Sequence, residues 1–225
     1  MSKDLLYPLM LSPPPTERLQ SPGEEVANAV SHAVGLLGTL LGAPFLIGRA
    51  LQRGSTAGVV GTSVFACTIV LLYLASTLYH ALPRTRAKRV FRMLDHEAIF
   101  LFIAGTYTPF TLGVLRGLWG WSLLAIVWSL ALVGIVLSAI GGMRYRRFST
   151  AVYLGMGWLM LIAIRPLWLR LPLSGLLWLL AGGLAYTVGV AFFAAKRIPY
   201  SHLIWHLFVL VGTSCHFIAV LLYAT

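Results

Sequence analysis

His202 and His206 stand one helical turn apart at the start of the last long apolar stretch of the sequence. Residues at i and i+4 share a helix face, so two imidazoles at this spacing can point at one ion. His80, near the end of another apolar stretch, offers a third nitrogen, with Ser76 one turn before it. Asp95 opens the apolar stretch that follows. Three neutral imidazoles leave a fourth position open, the pattern of a catalytic rather than a structural zinc site. Asp95 then has two places: it binds the ion directly, or it accepts a hydrogen bond from water at the metal and acts as general base. The second is preferred, because three histidines and a water already complete a tetrahedron. Ser76 sits behind the ligands or contacts a reacting carbonyl.

Each of these residues alone has a plainer reading. A histidine in a helical bundle can be a hydrogen-bonded packing residue, and Asp95 can be a helix N-cap pairing with Arg92 or Arg89. The metal is favoured only if the elements bring the residues to one place, so the elements come next.

Of 225 residues, 59% are apolar and only 10% are charged, far from the roughly 25% charged content of soluble domains. The composition is that of an integral membrane protein. Four of the six acidic residues, Asp4, Glu17, Glu24 and Glu25, precede position 26, which leaves Asp95 and Glu97 alone in the remaining body. A charge at the bilayer centre costs roughly 2.5 to 3.5 kcal/mol even on the translocon scale, so ionisable residues in such a chain are read first for function. The net charge of +11 sits in short segments between apolar runs, as membrane topology requires, and does not point to nucleic acid. Cys67 and Cys215 both fall within apolar runs and form neither a disulfide framework nor a CxxC motif.

A span needs about 20 apolar residues. Seven stretches qualify, at about 26–48, 57–82, 94–114, 118–142, 149–168, 173–195 and 200–223. The fold class is therefore an all-α, seven-transmembrane helix bundle, with short loops that make neighbours antiparallel. Residues 1–23, with a short apolar piece broken by Pro8 and followed by Pro13, Pro14 and Pro15, read as a flexible cytoplasmic tail, and residues 24–225 as the transmembrane domain. Twelve cations fall on the N-terminal side of the membrane, in the tail and in the connections around Arg84–Arg92, Arg144–Arg147 and Lys196–Arg197. The opposite side carries five, Arg49, Arg53, Arg116, Arg165 and Arg170. The positive-inside rule puts the N-terminus in the cytoplasm and the C-terminus outside.

That topology assigns depth. His80 ends span 2, Asp95 opens span 3, and His202 and His206 open span 7, so all approach the cytoplasmic end, about one or two 5.4 Å turns below the interface. His32, below Glu25 and Asn28 in span 1, is at the right depth to line the mouth. His216 lies on nearly the same face as His202 but about 21 Å further along the axis, too far to share the ion; it packs or binds something near the outer leaflet. His96 points away from Asp95, and Glu97 is expected at the interface. Gly38 and Gly42, and Gly182 and Gly183, read as packing positions.

Together, Ser76-Thr-Leu-Tyr-His80, Leu94-Asp95, Gly105-Thr-Tyr-Thr-Pro109 and Ser201-His-Leu-Ile-Trp-His206, with His216 beyond, resemble the hemolysin III proteins. These bacterial membrane proteins are grouped with the progestin and adipoQ receptors and, more distantly, the alkaline ceramidases. The resemblance covers roughly residues 22–223. It implies seven helices, a cytoplasmic N-terminus, a location in the inner (plasma) membrane, and zinc held by His80, His202 and His206, with Asp95 and Ser76 close by. The ceramidase-like relatives imply hydrolysis of a lipid amide or ester and a role in membrane-lipid homeostasis. Two other readings stand beside that one: a non-enzymatic sensor of lipids with structural zinc, and a pore-forming cytolysin as the family name suggests.

Overall fold

A computed structural model describes residues 18–141 and 146–224 of the chain, with side chains placed except at residues 141 and 146–148. The residues 1–17 of the expected tail, and the cations Lys3 and Arg144, lie outside the described residues, as do the side chains of Arg146 and Arg147. All described regular structure is helical: α1 (Pro22–Gln52), α2 (Thr56–Ala81), α3 (Arg86–Pro109), α4 (Gly117–Gly141), α5 (Arg146–Trp158), α6 (Ile164–Trp168), α7 (Leu173–Ala194) and α8 (Ser201–Tyr223). A π-helical turn, Phe110–Leu115, extends α3, and a 3₁₀ turn, Leu159–Ala163, joins α5 to α6. Among the described residues, seven helical stretches are long and apolar enough to cross a membrane, α5 and α6 together making the fifth. Their outward faces carry large apolar side chains such as Phe45 and Leu118, 74% and 84% exposed. In water such a surface would be prohibitive, but against lipid it is the expected one.

The helix ends follow local chemistry. At the start of α1, Ser21 Oγ accepts from Glu24 N–H while the Glu24 carboxylate accepts from Ser21 N–H, a capping box, and Pro22 occupies the first helical position. This helix thus begins two residues before the expected domain boundary at 24. Thr85 caps α3, so the basic run from Arg86 to Arg92 is already helical. Asp95 therefore sits inside the helix, about two and a half turns from its start, and the N-cap reading of Asp95 is corrected.

Chain neighbours are also spatial neighbours, and the bundle closes where α8 packs against α1 as well as α7. The third span is the most buried of the seven. From it, Phe100, Phe102, Tyr107 and Phe110 join Phe65, Ile69 and Tyr73 of α2 in the core. The Tyr107 hydroxyl donates to the Met156 carbonyl at 2.6 Å, lies 2.9 Å from that of Gly157, and accepts from Met160 N–H at 3.0 Å. It satisfies backbone groups freed where span 5 changes helical pitch, which hydrocarbon could not do. Of the four glycines read as packing positions, Gly42 and Gly182 are tightly faced, by Phe217 and His216, and Gly183 meets Trp158 at ordinary contact distance. Gly38 faces open space, because its side of α1 looks outward.

Candidate metal centre

The site is assembled by α1, α2, α3 and α8. His80, His202 and His206 each offer one ring nitrogen within 4.8 Å of the others'. The ring centroids are 5.1 Å apart for His80 to each partner and 4.6 Å between His202 and His206. Among the described residues, this is the one such group of metal-ligating side chains. His80 and His206 are buried, and His202 is half-buried.

Hydrogen bonding fixes which nitrogen two of these rings present. His80 Nδ1–H donates to Glu25 Oε2 at 2.7 Å, and its buried Nε2 has no hydrogen-bond partner. Ser31 Oγ spends its hydrogen on the Asn28 carbonyl at 2.8 Å, so it can only accept from His206. His206 Nδ1 lies 3.0 Å from Ser31 Oγ and 3.2 Å from the Asn28 carbonyl, both acceptors, and therefore carries the proton. Each ring thus turns an Nε2 lone pair to the cluster, with an acceptor behind it to hold the tautomer, the arrangement typical of metal-bound histidines. A buried polar atom without a partner calls for an ion or water, and His80 Nε2, Ser76 Oγ, Asn28 Oδ1 and both His32 nitrogens are such atoms. The donor set and the orphaned nitrogen fit a borderline cation such as Zn²⁺.

Glu25 also pairs with Lys88 Nζ at 3.1 Å, tying α1 to α2 and α3 at one point. Glu24, paired with Arg18, accepts from Tyr200 N–H at 2.7 Å. Tyr200 has φ 57°, a left-handed conformation disfavoured for a tyrosine, at the residue that launches α8. Glu24 thereby anchors the turn two residues before His202.

A cavity of about 110 Å³ adjoins the trio, lined in part by Asp95, His202, His206 and His32 and otherwise mainly by apolar side chains. Asp95 shares this wall but is not one of the three clustered ligands. Ser76 is fully buried one turn from His80 and is not on the cavity wall. His32 reaches the wall as expected and stacks on His206 with centroids 3.6 Å apart. His216 does not join the trio, yet it lines the same cavity and stacks on Tyr186. His96, read as pointing away from Asp95, instead brings its Nδ1 to 3.7 Å from Asp95 Oδ2 while donating to the Arg92 carbonyl at 2.7 Å, and it lines the wall too.

The acceptors behind the ligands are what the sequence reading missed. Glu25, Asn28 and His32 recur at helical spacing in an otherwise apolar stretch, and that stripe was the available signal.

Comparisons with known proteins agree over nearly the whole chain. The family model described as "Haemolysin-III related" matches residues 21–217. The "Hemolysin-3 homolog" of Bacillus subtilis is 46% identical over 200 residues, 89% of this chain and 94% of that protein. "Hemolysin-3" of Bacillus cereus is 44% identical over 208 residues, 92% and 95% of the two chains. The human "Monocyte to macrophage differentiation factor" is 28% identical over 209 residues, 88% and 83% of the two.

Proposed function

The chain belongs to the haemolysin-III related family of multi-pass membrane proteins, and from that premise we propose that it is a zinc-dependent hydrolase of lipid amides or esters. The reading places the N-terminus in the cytoplasm and the reaction near the cytoplasmic face. The observation that carries it is the pair of tautomer-fixed imidazoles, His80 and His206, converging with His202 beside an apolar cavity whose wall includes Asp95.

His80, His202 and His206 would hold the ion. Zinc bound there would supply a Lewis acid for the carbonyl and lower the pKa of water to about 7. Asp95 takes the proton as the water oxygen bonds to the carbonyl carbon, then returns it to the leaving amine or alcohol as the carbon–nitrogen or carbon–oxygen bond breaks. The apolar wall seats the acyl chain and excludes bulk water, which strengthens each electrostatic contact. Ser76, fully buried one turn from His80 and off the wall, has a hydroxyl without a hydrogen-bond partner and is assigned to the surroundings of the ion, away from the reacting carbonyl.

A purified sample is tested by elemental analysis and by mass spectrometry of products from a broad lipid panel. Wild-type protein is expected to release fatty acid, His206→Ala to lose metal and activity, and Asp95→Asn to keep metal but not activity. Stoichiometric metal without any product would refute the hydrolase.

One observation favours a second reading: the trio and its acceptors lash α1, α2 and α8 together, as a structural ion in a lipid sensor would. On that reading Asp95→Asn leaves the physiological output unchanged.

A further inference from the structure

The cavity does not end at the trio. Along α8 its wall carries His202, Trp205, His206 and Val209, and then His216 two turns further on. From His206 to His216 is ten residues, about 15 Å of axial rise. The volume of about 110 Å³ holds roughly seven to eleven water-sized groups at 10–15 Å³ each. With its mainly apolar lining, a space that reaches from the trio to His216 suits an acyl chain.

The polar groups lining its deep half have spent their hydrogens. Thr106 Oγ1 donates to the Phe102 carbonyl at 2.8 Å, Thr187 Oγ1 to Gly183 at 2.7 Å, and Tyr107 OH to Met156 at 2.6 Å. Trp158 Nε1–H donates to Thr187 Oγ1 at 3.1 Å. Thr213 donates to the Val209 carbonyl at 2.8 Å, so Tyr186 OH, 3.2 Å away, must be the donor in their contact. His216 Nδ1–H goes to the Gly212 carbonyl at 2.9 Å.

The Nδ1–Cε1 edge of His216 lies against Gly182, where a Cβ would come within 2.2 Å of both atoms. The Nε2 edge is therefore the one turned to the cavity that the residue lines. The span carboxylates, Glu24, Glu25, Asp95 and Glu97, all belong to the opposite end of the bundle, so no counter-charge favours a second proton on this ring. Nε2 is an unspent acceptor. Two glycines are used to seat this end, Gly182 under His216 and Gly212 under Tyr186.

We infer that the cavity takes a lipid chain bearing a hydroxyl, which donates to His216 Nε2 when the chain's carbonyl end lies at the histidine trio. A deep half that offers an acceptor and no donor pairs with a hydroxyl and gains nothing from a carbonyl or ether placed there. His216 is thus a specificity-determining residue, and the inference names the substrate class of the hydrolase proposed above, on which it rests for the position of the carbonyl end.

The test is competitive binding of hexadecanoic acid against its mono-hydroxylated isomers, the hydroxyl walked along the chain, read by native mass spectrometry of the full-length, metal-loaded protein. The isomer with its hydroxyl about 15 Å from the carboxyl carbon is expected to be retained about three- to tenfold over the parent acid, the worth of one added hydrogen bond. His216→Phe, which keeps an aromatic ring against Tyr186, should erase that preference and leave binding of the parent acid and metal content unchanged. A flat profile across the isomers overturns the inference, as does a preference that survives His216→Phe. If His216→Phe loses its metal, the wild-type profile decides alone. Because binding is read and not turnover, absent hydrolysis refutes the hydrolase and leaves this preference standing. A flat profile in an active enzyme refutes only the hydroxyl.

Discussion

Replacing Glu25 with alanine removes a partner of the metal ligands without touching a ligand, and the effect follows from one hydrogen bond. His80 Nδ1–H donates to Glu25 Oε2 at 2.7 Å, with no other acceptor at that nitrogen. A hydrogen bond to a charged group contributes about 1.5 to 3 kcal/mol, and loss of such outer partners costs about 10- to 100-fold in metal affinity. The Glu25 side chain is 26% exposed, so water takes over part of its role. The expectation for Glu25→Ala is therefore toward the lower limit, about tenfold. Glu25→Gln keeps an acceptor but loses the charge and the pairing with Lys88, and should cost about threefold. Ser31→Ala is the internal control. The Asn28 carbonyl still accepts from His206 at 3.2 Å, so the loss should stay below about threefold. The assay is competition of metal-loaded, detergent-purified protein against graded chelator, with residual metal measured by elemental analysis. Wild-type affinity in Glu25→Ala, alongside metal loss in His80→Ala, would refute the argument that the carboxylate orients the ligand. Equal losses in Ser31→Ala and Glu25→Ala would refute it too.

Three further outcomes are expected. Gly35→Ala puts a methyl within 2.6 Å of Leu210 and 2.8 Å of Tyr73, an overpacking that costs about 1 to 3 kcal/mol, while Gly38→Ala meets nothing within 4 Å and gains up to about 1 kcal/mol of helix propensity; thermal unfolding of the two variants in one detergent should move in opposite directions. Glu24→Ala strips the acceptor from Tyr200 N–H and should lower stability by about 1 to 3 kcal/mol, with metal affinity falling as the start of α8 loosens; unchanged affinity would show that the turn holds itself. Liposomes carrying the protein at high density should hold their ion gradients, since the described cavity is narrow and largely apolar, and leakage would favour the pore.

The seven spans and the histidine trio were legible because hydrocarbon imposes one simple rule on each segment. A run of apolar residues is a span, and an ionisable residue within it has a reason. Depth then followed from counting along helices. Rotation did not. Nothing in the apolar pattern of α1 told which face met α2 and which met α8, so Glu25, Asn28 and Ser31 were not assigned to the ligands they support. The start of α3 was misplaced for a related reason: the basic run Arg86–Arg92 looked like a loop by charge, but Thr85 caps it and Lys88 finds Glu25. The 3₁₀ turn at Leu159–Ala163 has neither proline nor glycine within it and depends on the hydroxyl of Tyr107, distant in sequence. His216 was kept out of the trio, and it does lie outside that cluster. Its share in the same cavity was invisible, because a cavity's length is a property of several packed helices and not of one.

The histidine on α8 meets its acceptor on α1 across 175 positions of sequence. During synthesis α1 enters the bilayer long before α8 exists. In that interval Asn28, Ser31 and His32 wait in the membrane without the ring that will cover them, and Glu24 waits for the Tyr200 amide. Arrival of α8 closes the ring of helices, brings His206 to Ser31 and the Asn28 carbonyl, stacks its ring on His32 and gives Glu24 the Tyr200 amide. A nascent chain halted before residue 200 would carry the polar stripe of α1 uncovered, a mark by which membrane quality control can tell it from the finished bundle.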